Sequence, residues 1–199
     1  MAATAYDAGS PENYTIGGLR FYFAKATTTN PWALGTYEYL GNVVTGGFNS
    51  AINFLDHFTA KSGSRKKDRS LVQEITISVN LTLDEPDHAN MSRFMLADIV
   101  APVSGVSTFA PYSKSEILGG AVLVGVSSTG NEFKWSINRA TLKPDGDFAF
   151  NDQDWSQFQF ILEPLDDSTD NPTKPYGEVK HYGVGSEIYK TDPTAGPPT

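Results

Sequence analysis

The sequence predicts a mainly β fold: two packed antiparallel sheets, a sandwich or split barrel, with one flanking α-helix. Three observations predict it. From Glu74 to Asp84 polar and apolar residues alternate without a fault, with Ile75, Ile77, Val79, Leu81 and Leu83 on one parity. Period two over that length is a strand with one face in a core and the other in water. Directly after it, Asp84-Glu85-Pro86-Asp87 stops the alternation, and Met91, Phe94, Met95 and Ile99 follow at helical spacing. The rest of the chain is short alternating or apolar runs punctuated by Gly, Pro, Asn and Asp, which is the pattern of a sandwich or barrel.

Taken in order, residues 1–14 are small, polar and unpatterned and read as an N-terminal arm. Residues 15–25 form the first expected strand, with Gly17-Gly18 marking a bulge or kink near its start. Asn30-Pro31 is a turn, and residues 36–44 are a second strand that Gly46-Gly47 breaks. Residues 45–69 carry Phe48, Ile52, Phe54, Leu55 and Phe58, yet end in the basic, Ser-Gly-rich run KSGSRKKDR. So long a connection inside a compact domain is functional or disordered, and its apolar content argues against pure disorder. It reads as a projecting loop or hairpin that buries its apolar residues against a neighbouring subunit.

At the end of the long strand Asp84 is a good N-cap, Pro86 is tolerated in a first helical turn, and the acidic side chains suit the helix dipole. Residues 101–115 read as loop with one short strand. The run GGAVLVGV at 119–126 is apolar on both faces and fits a strand covered on both sides. After a turn at 127–131, Phe133, Trp135 and Ile137 alternate with Lys134, Ser136 and Asn138. Leu142 has the wrong parity, so a bulge is expected at Arg139-Ala140. Pro144-Asp145-Gly146-Asp147 is a turn, and residues 155–162 close the pattern. The domain thus spans 15–165. Residues 166–199, rich in Pro, Asp, Thr and Gly, read as an extended C-terminal tail that is ordered only along a partner, with enough apolar residues at 176–189 to dock.

At 199 residues the chain is long enough for one sizeable core. The absence of cysteine removes disulfides, thiolate catalysis and Cys-based metal sites. Residues 1–10 lack the basic start and apolar run of a secretory signal, and no run approaches the ~20 apolar residues that span a bilayer. The expectation is a protein kept in the cytoplasm or released from it by lysis, with no membrane partner. A net charge of −8 argues against packaging nucleic acid. The charges are segregated, however. Lys61, Arg65, Lys66, Lys67 and Arg69 cluster around Gly63, while Asp145, Asp147, Asp152, Asp154, Asp166, Asp167 and Asp170 make the last third acidic. Unlike charges on separate segments suit self-association.

Nothing in the sequence assembles a reactive site. His57, His88 and His181 are far apart, and neither a nucleophile elbow nor a phosphate-binding glycine loop is present. The acidic run 145–154 lacks the spacing and terminal Glu of a calcium loop and reads as a solvated turn. Glu85 with Asp87, or Glu163 with Asp166, could be cast as a glycosidase pair, but a helix start and a loop explain them. The aromatic residues Phe21, Tyr22, Phe23, Trp135, Trp155, Phe158 and Phe160 read as core. No catalytic residue, metal ligand or cofactor is assigned, and no enzyme is expected.

The order of these features resembles the major tail tube proteins of long-tailed, siphovirus-like bacteriophages. Leu40-Gly41-Asn42-Val43 is similar to the point where that family's strand gives way to a long stacking loop, and residues 54–69 occupy the loop. Residues 71–83 match the long returning strand. Asp84-Glu85, and Asn90 ahead of Met91, match the helix; 133–142 and 155–162 look like the later strands. The resemblance covers roughly residues 15–165, and the tail beyond Pro164 departs from the minimal family domain. It implies homo-hexameric rings stacked helically into a hollow tube, with strands joining into a ring-wide lumenal β-barrel. DNA passes through that lumen without specific binding on its way into the host bacterium. It implies as further partners the tail tip or initiator, tape-measure and terminator proteins of the virion, with assembly in the host cytoplasm. On this resemblance Glu74, Thr76, Ser78, Asn80 and Thr82 face the lumen, and an acidic lumen would repel phosphate. Phe54, Leu55, Phe58, Lys61, Arg65, Lys66, Lys67 and Arg69 belong to the ring-stacking loop. Two other readings stand beside it: a secretion-system tube protein of the same fold, and a monomeric β-sandwich binding or virion decoration module.

Overall fold

The computed structural model describes residues 17–29, 32–60, 63–98, 103–127, 130–148 and 156–183. Among them are eight strands and one helix: β1 (Leu19–Thr29), β2 (Trp32–Leu34), β3 (Glu38–Thr59), β4 (Lys66–Leu83), α1 (His88–Phe94), β5 (Ile117–Val126), β6 (Glu132–Asp145), β7 (Phe158–Pro164) and β8 (Glu178–Tyr182). The fold is mainly β and antiparallel throughout, with a single helix, as the sequence predicts. The order is β2-β1-β3-β4-β7-β6-β5, and β1 also pairs with β5, so the path returns on itself. Closure is uneven. Leu19–Lys25 runs against Gly125–Gly119 without interruption, whereas β1 meets β3 at three registered positions across a bulge. The body is therefore a split barrel whose two faces pack on each other.

Its interior is filled by Phe21, Phe23, Leu40, Val79, Leu81, Leu83, Leu123, Ile137, Leu142, Phe158, Phe160 and Leu162, all at most 1% exposed. Removing side chains of this size from water stabilises the fold by about 1.5–3 kcal/mol each. Phe94 of α1 joins them and lies edge-on to Phe158 and Phe160, with centroids 6.2 and 6.0 Å away. The helix thus closes the end of the body where β4 stops. As expected, β5 is covered on both faces: Ala121 and Leu123 face the main core, while Val122 and Val124 pack with Tyr22 and Tyr37. The expected bulge in β6 is present, with Ile137 and Ala140 opposite Ala121 and Gly119.

Several local expectations are corrected. β3 does not end at Gly46-Gly47 but runs through them to Thr59. The Cβ atom that Gly46 lacks would sit 2.6 Å from Leu19 Cδ2, so this glycine permits a close approach rather than a break. The first strand extends to Thr29, and Gly17-Gly18 precede it; its bulge falls further along, opposite β2, and the irregularity against β3 lies in β3. The helix cap is Asp87, not Asp84, and Pro86 precedes the cap rather than lying in the first turn. Asp87 Oδ1 accepts from Asn90 N at 2.6 Å, while Asp84 and Glu85 are taken up by Asn42, whose Nδ2 and N donate to them at 2.9 Å. Met91 and Met95 are only partly buried, and the buried helix residues are Asn90, Ser92, Arg93 and Phe94; Ile99 lies outside the described residues. Between 103 and 115 the described residues form one isolated bridge, Val103 to Val106, instead of a strand. Pro144 and Asp145 belong to β6, so the turn starts at Gly146, which has φ +66°. The last strand before the tail starts at Phe158, and Trp155 lies outside the described residues.

The tail also differs. Within the described part of the tail, Glu178–Tyr182 pairs with the chain's own β6. β7 pairs only with the Ala140–Asp145 half of β6, and β8 fills the vacant edge over Glu132–Ser136. The link between them is pinned by Asp167, 3% exposed, whose Oδ1 lies 2.8 Å from Arg139 Nε. Trp135 Nε1 also donates to Tyr176 O at 3.1 Å.

Tyr37 carries a prediction. Burial pushes its phenol up to about 12 from an ordinary value near 10, and its hydroxyl has no hydrogen-bond partner among the described residues. Between those two pH values the unfolded chain ionises while the folded one does not. Stability is therefore intact below about pH 10 and falls as pH rises toward 12. Tyr37→Phe removes an unsatisfied buried hydroxyl, so it is expected to be neutral or stabilising at pH 7 and to lessen the alkaline loss. Denaturant midpoints at pH 7 and 11 test this; a midpoint lowered at pH 7 would contradict it.

Candidate functional site

The most prominent surface feature is the antiparallel pair formed by β3 and β4. Their register runs from Val43–Leu83 out to Thr59–Lys66, yet β7 pairs with β4 only from Val79 to Leu83. Beyond Val79 the two strands leave the body as a two-stranded ribbon, and nearly every residue on it is exposed. The expected projecting segment at 45–69 thus supplies one arm of a hairpin, its tip and the start of the second arm, which continues as the long alternating strand. Ile75 was expected in the core and is instead 40% exposed, with Ile77 only partly buried. The alternation continues past the point where the body ends.

Paired residues of an antiparallel ladder share a face, so the register sorts the ribbon into two sides. One side carries Phe48, Ile52, Phe54 and Phe58 from β3 with Ile75 and Val72 from β4. This apolar stripe starts at a recess of about 230 Å³ lined by Phe48, Phe133, Trp135 and Val179, where Phe48 lies 5.3 Å from Trp135, centroid to centroid. The opposite side carries Asn49, Ala51 and Asn53 against Ser78, Thr76 and Glu74, with Asn53 Nδ2 donating to Glu74 Oε2 at 3.1 Å. Bulges at Gln73 and Asp68 offset the two strands and increase the local twist.

Toward the tip the ribbon is held by polar contacts. Lys67 Nζ lies 2.7 Å from Asp56 Oδ1, and Ser70 donates to the same carboxylate; Lys67 first and Ser70 second hold the Asp56 carboxyl below its usual range. His57 Nδ1 lies 2.6 Å from Asp68, and the Arg65 guanidinium stacks 4.8 Å from the Phe58 ring centre. Of the expected stacking residues, Phe54, Leu55, Phe58, Arg65, Lys66, Lys67 and Arg69 share this ribbon. Lys61 lies outside the described residues. Lys67 is neutralised within the ribbon, and no described carboxylate pairs with Lys66 or Arg69.

The expected lumen residues Glu74, Thr76, Ser78, Asn80 and Thr82 fall on one face in register, opposite Asn53, Ala51, Asn49, Gly47 and Thr45. The face continues across the body through Gln159 and Ile161 of β7 to Lys143 and Asp145 of β6. Lys143 pairs with Glu163 there, which leaves Glu74 and Asp145 as the net charge on a face otherwise made mainly of amides and hydroxyls.

The two motifs around residues 40 and 85–90 meet at the other end of the body. Gly41 has φ +96°, and an added Cβ would sit 2.8 Å from the Glu85 side chain. Only glycine lets the chain turn there and present Asn42 N to Glu85. Asn90, 2% exposed, donates from Nδ2 to Leu40 O at 2.8 Å and Glu85 O at 3.0 Å, and accepts from Arg93 Nη1 at 3.0 Å. Arg93 in turn pairs with Glu38. The resemblance singled out Asn90, but its burial and its link to Arg93 escaped sequence reasoning; the signal was two polar residues three apart on the helix.

Other candidate chemistries find no constellation. The described residues contain no group of three His, Asp or Glu placed to hold a metal. Asp152 and Asp154 lie outside them. Glu85 and Asp87 serve Asn42 and the helix cap, Glu163 pairs with Lys143, and Asp166 holds Ser168. No described helix is long and apolar enough to cross a membrane. Comparison with known protein families and with curated protein sequences finds no match.

Proposed function

We propose that this chain is the subunit of a phage tail tube: a structural virion protein that forms rings, six-membered as the sequence resemblance implies, stacked into a hollow conduit for DNA. The observation that carries the reading is the ribbon. A chain that projects two strands with an uncovered apolar stripe and open edges invites association, and a contact repeated without closing builds a filament. Charge supports a head-to-tail arrangement. β4 has Lys66 and Arg69 at its outer end, while Asp84, Glu85 and Asp87 follow its inner end. Successive copies would bring opposite signs together.

The face carrying Glu74, Thr76, Ser78, Asn80 and Thr82 would line the lumen. Hydroxyl and amide groups with little positive charge offer phosphate no counter-ion to hold it, so DNA would slide. The test concerns charge at the tip. Reversing Lys66 and Arg69 to Glu is expected to raise the concentration needed for assembly about tenfold at low salt. The difference should shrink near 1 M salt, where the screening length is about 3 Å. Sedimentation velocity reads both. Unchanged growth of the double variant would reject the electrostatic contact.

A further inference from the structure

The recess at the root of the ribbon belongs to a sheet face that runs past the core before it is covered. Paired residues share a face, and Leu123, Trp135 and Val179 form one row across β5, β6 and β8. Leu123 lies in the core and Trp135 is 9% exposed, but Val179 is 63% exposed. The neighbouring pair on the same face is Phe133 with His181. Phe48 reaches over from β3 to Trp135, while Val179 at the other wall of the recess stays open to water. β8 also has an open edge. Among the described residues it pairs with β6 alone.

The sequence after β8 carries what both vacancies need. Gly183-Val184-Gly185 suits a reversal, and Ser186-Glu187-Ile188-Tyr189-Lys190 is long enough to return along the strand. A turn centred on Val184-Gly185 sets Glu187 opposite Tyr182, Ile188 opposite His181, Tyr189 opposite Lys180 and Lys190 opposite Val179. Ile188 then falls on the face of Phe133 and Trp135, and Tyr189 on the other face beside Lys180. Lys190 lays its aliphatic stem on Val179 and keeps its ammonium in water. A slip of one residue would turn Glu187 and Tyr189 onto the apolar face instead and press a carboxylate against Phe133, which is costly.

We infer that residues 187–190 add to the open edge of β8 as a further strand of the same chain and fill the recess with Ile188. The inference is independent of the tube reading. The chain's own segment is the occupant because Gly183 follows β8 directly, and so short a tether gives it a millimolar effective concentration over any separate chain. Phe48 stands opposite Val79, where the ribbon leaves the body, so the filled recess also braces the ribbon at its root.

The protein has no cysteine, so an introduced pair reports a single contact. Lys180→Cys with Tyr189→Cys sits in register, while Lys180→Cys with Lys190→Cys sets the two thiols on opposite faces. Both full-length variants are equilibrated with a glutathione redox buffer, and the oxidised fraction is read by mass after thiol alkylation. The in-register pair is expected to show an effective concentration about tenfold or more above that of the other pair, with the disulfide inside one chain. Equal values, or a disulfide that joins two chains, would overturn the inference. In parallel, Ile188→Ser is expected to lower the melting temperature by about 3–6 °C. An unchanged melting temperature would also overturn it.

Discussion

Excising residues 51–76 and joining Ser50 to Ile77 through an Asn-Gly turn yields a folded protein that no longer assembles. Ser50 and Ile77 are direct partners in the β3–β4 ladder, and a two-residue turn of that composition is what an antiparallel pair accepts at such a position. The excised segment contributes nothing to the buried core, which begins at Phe48's neighbour Val79 and lies inward of it. The melting temperature should stay within a few degrees of wild type, because surface changes away from core and caps are typically worth about 0.5 kcal/mol or less. Assembly, by contrast, should be lost outright, since the apolar stripe beyond Phe48 and the basic tip go together. Calorimetry and sedimentation velocity on the same sample measure the two effects. Assembly of the excised chain would mean that the ribbon is not the contact.

Asn90→Ala is the second large effect, and it acts on stability. The side chain satisfies Leu40 O, Glu85 O and Arg93 Nη1 inside the protein. A buried polar group left without its partner costs about 1–3 kcal/mol. The Glu85 carbonyl is nearer water, so a total loss of about 3 kcal/mol is expected. For a chain of this size that is a fall of about 6–12 °C in melting temperature. Asn90→Asp should also destabilise, because it keeps the acceptor for Arg93 but turns the donor to two carbonyls into an acceptor. Association at low temperature should survive in both, since neither substitution removes a charge from the ribbon tip or from Asp84, Glu85 and Asp87. A loss below about 1 kcal/mol for Asn90→Ala would contradict the role given to the hub.

Much of the architecture was legible because period two is a backbone property. Val79, Leu81 and Leu83 fall in the core as their parity requires, and the phase slip before Leu142 appears as a bulge. Alternation, however, says that one face of a strand is covered without saying by what. That is why Ile75 continues the pattern of Leu81 yet lies on a free ribbon. The parity of Phe48, Ile52, Phe54 and Phe58 carried the strand through Gly46-Gly47, where local glycine preference suggested a break. At the helix start both Asp84 and Asp87 satisfy the capping rule, and the choice was made by Asn42, which is distant in sequence and occupies Asp84 and Glu85. β8 was hidden for a different reason. Residues 176–189 read as apolar enough to dock, but where they dock could not be read, because the vacancy that Glu178–Tyr182 fills on β6 exists only because β7 is short. The polar face was legible residue by residue, but its extension across β7 and β6 depended on strand order.

The most direct measurement is negative-stain electron microscopy of the purified chain at increasing concentration. The tube account predicts hollow rods of stacked rings with a central channel, appearing above a threshold concentration. A chain that remains a dispersed monomer at every concentration, and also fails to add to preformed ends of such rods, would contradict it.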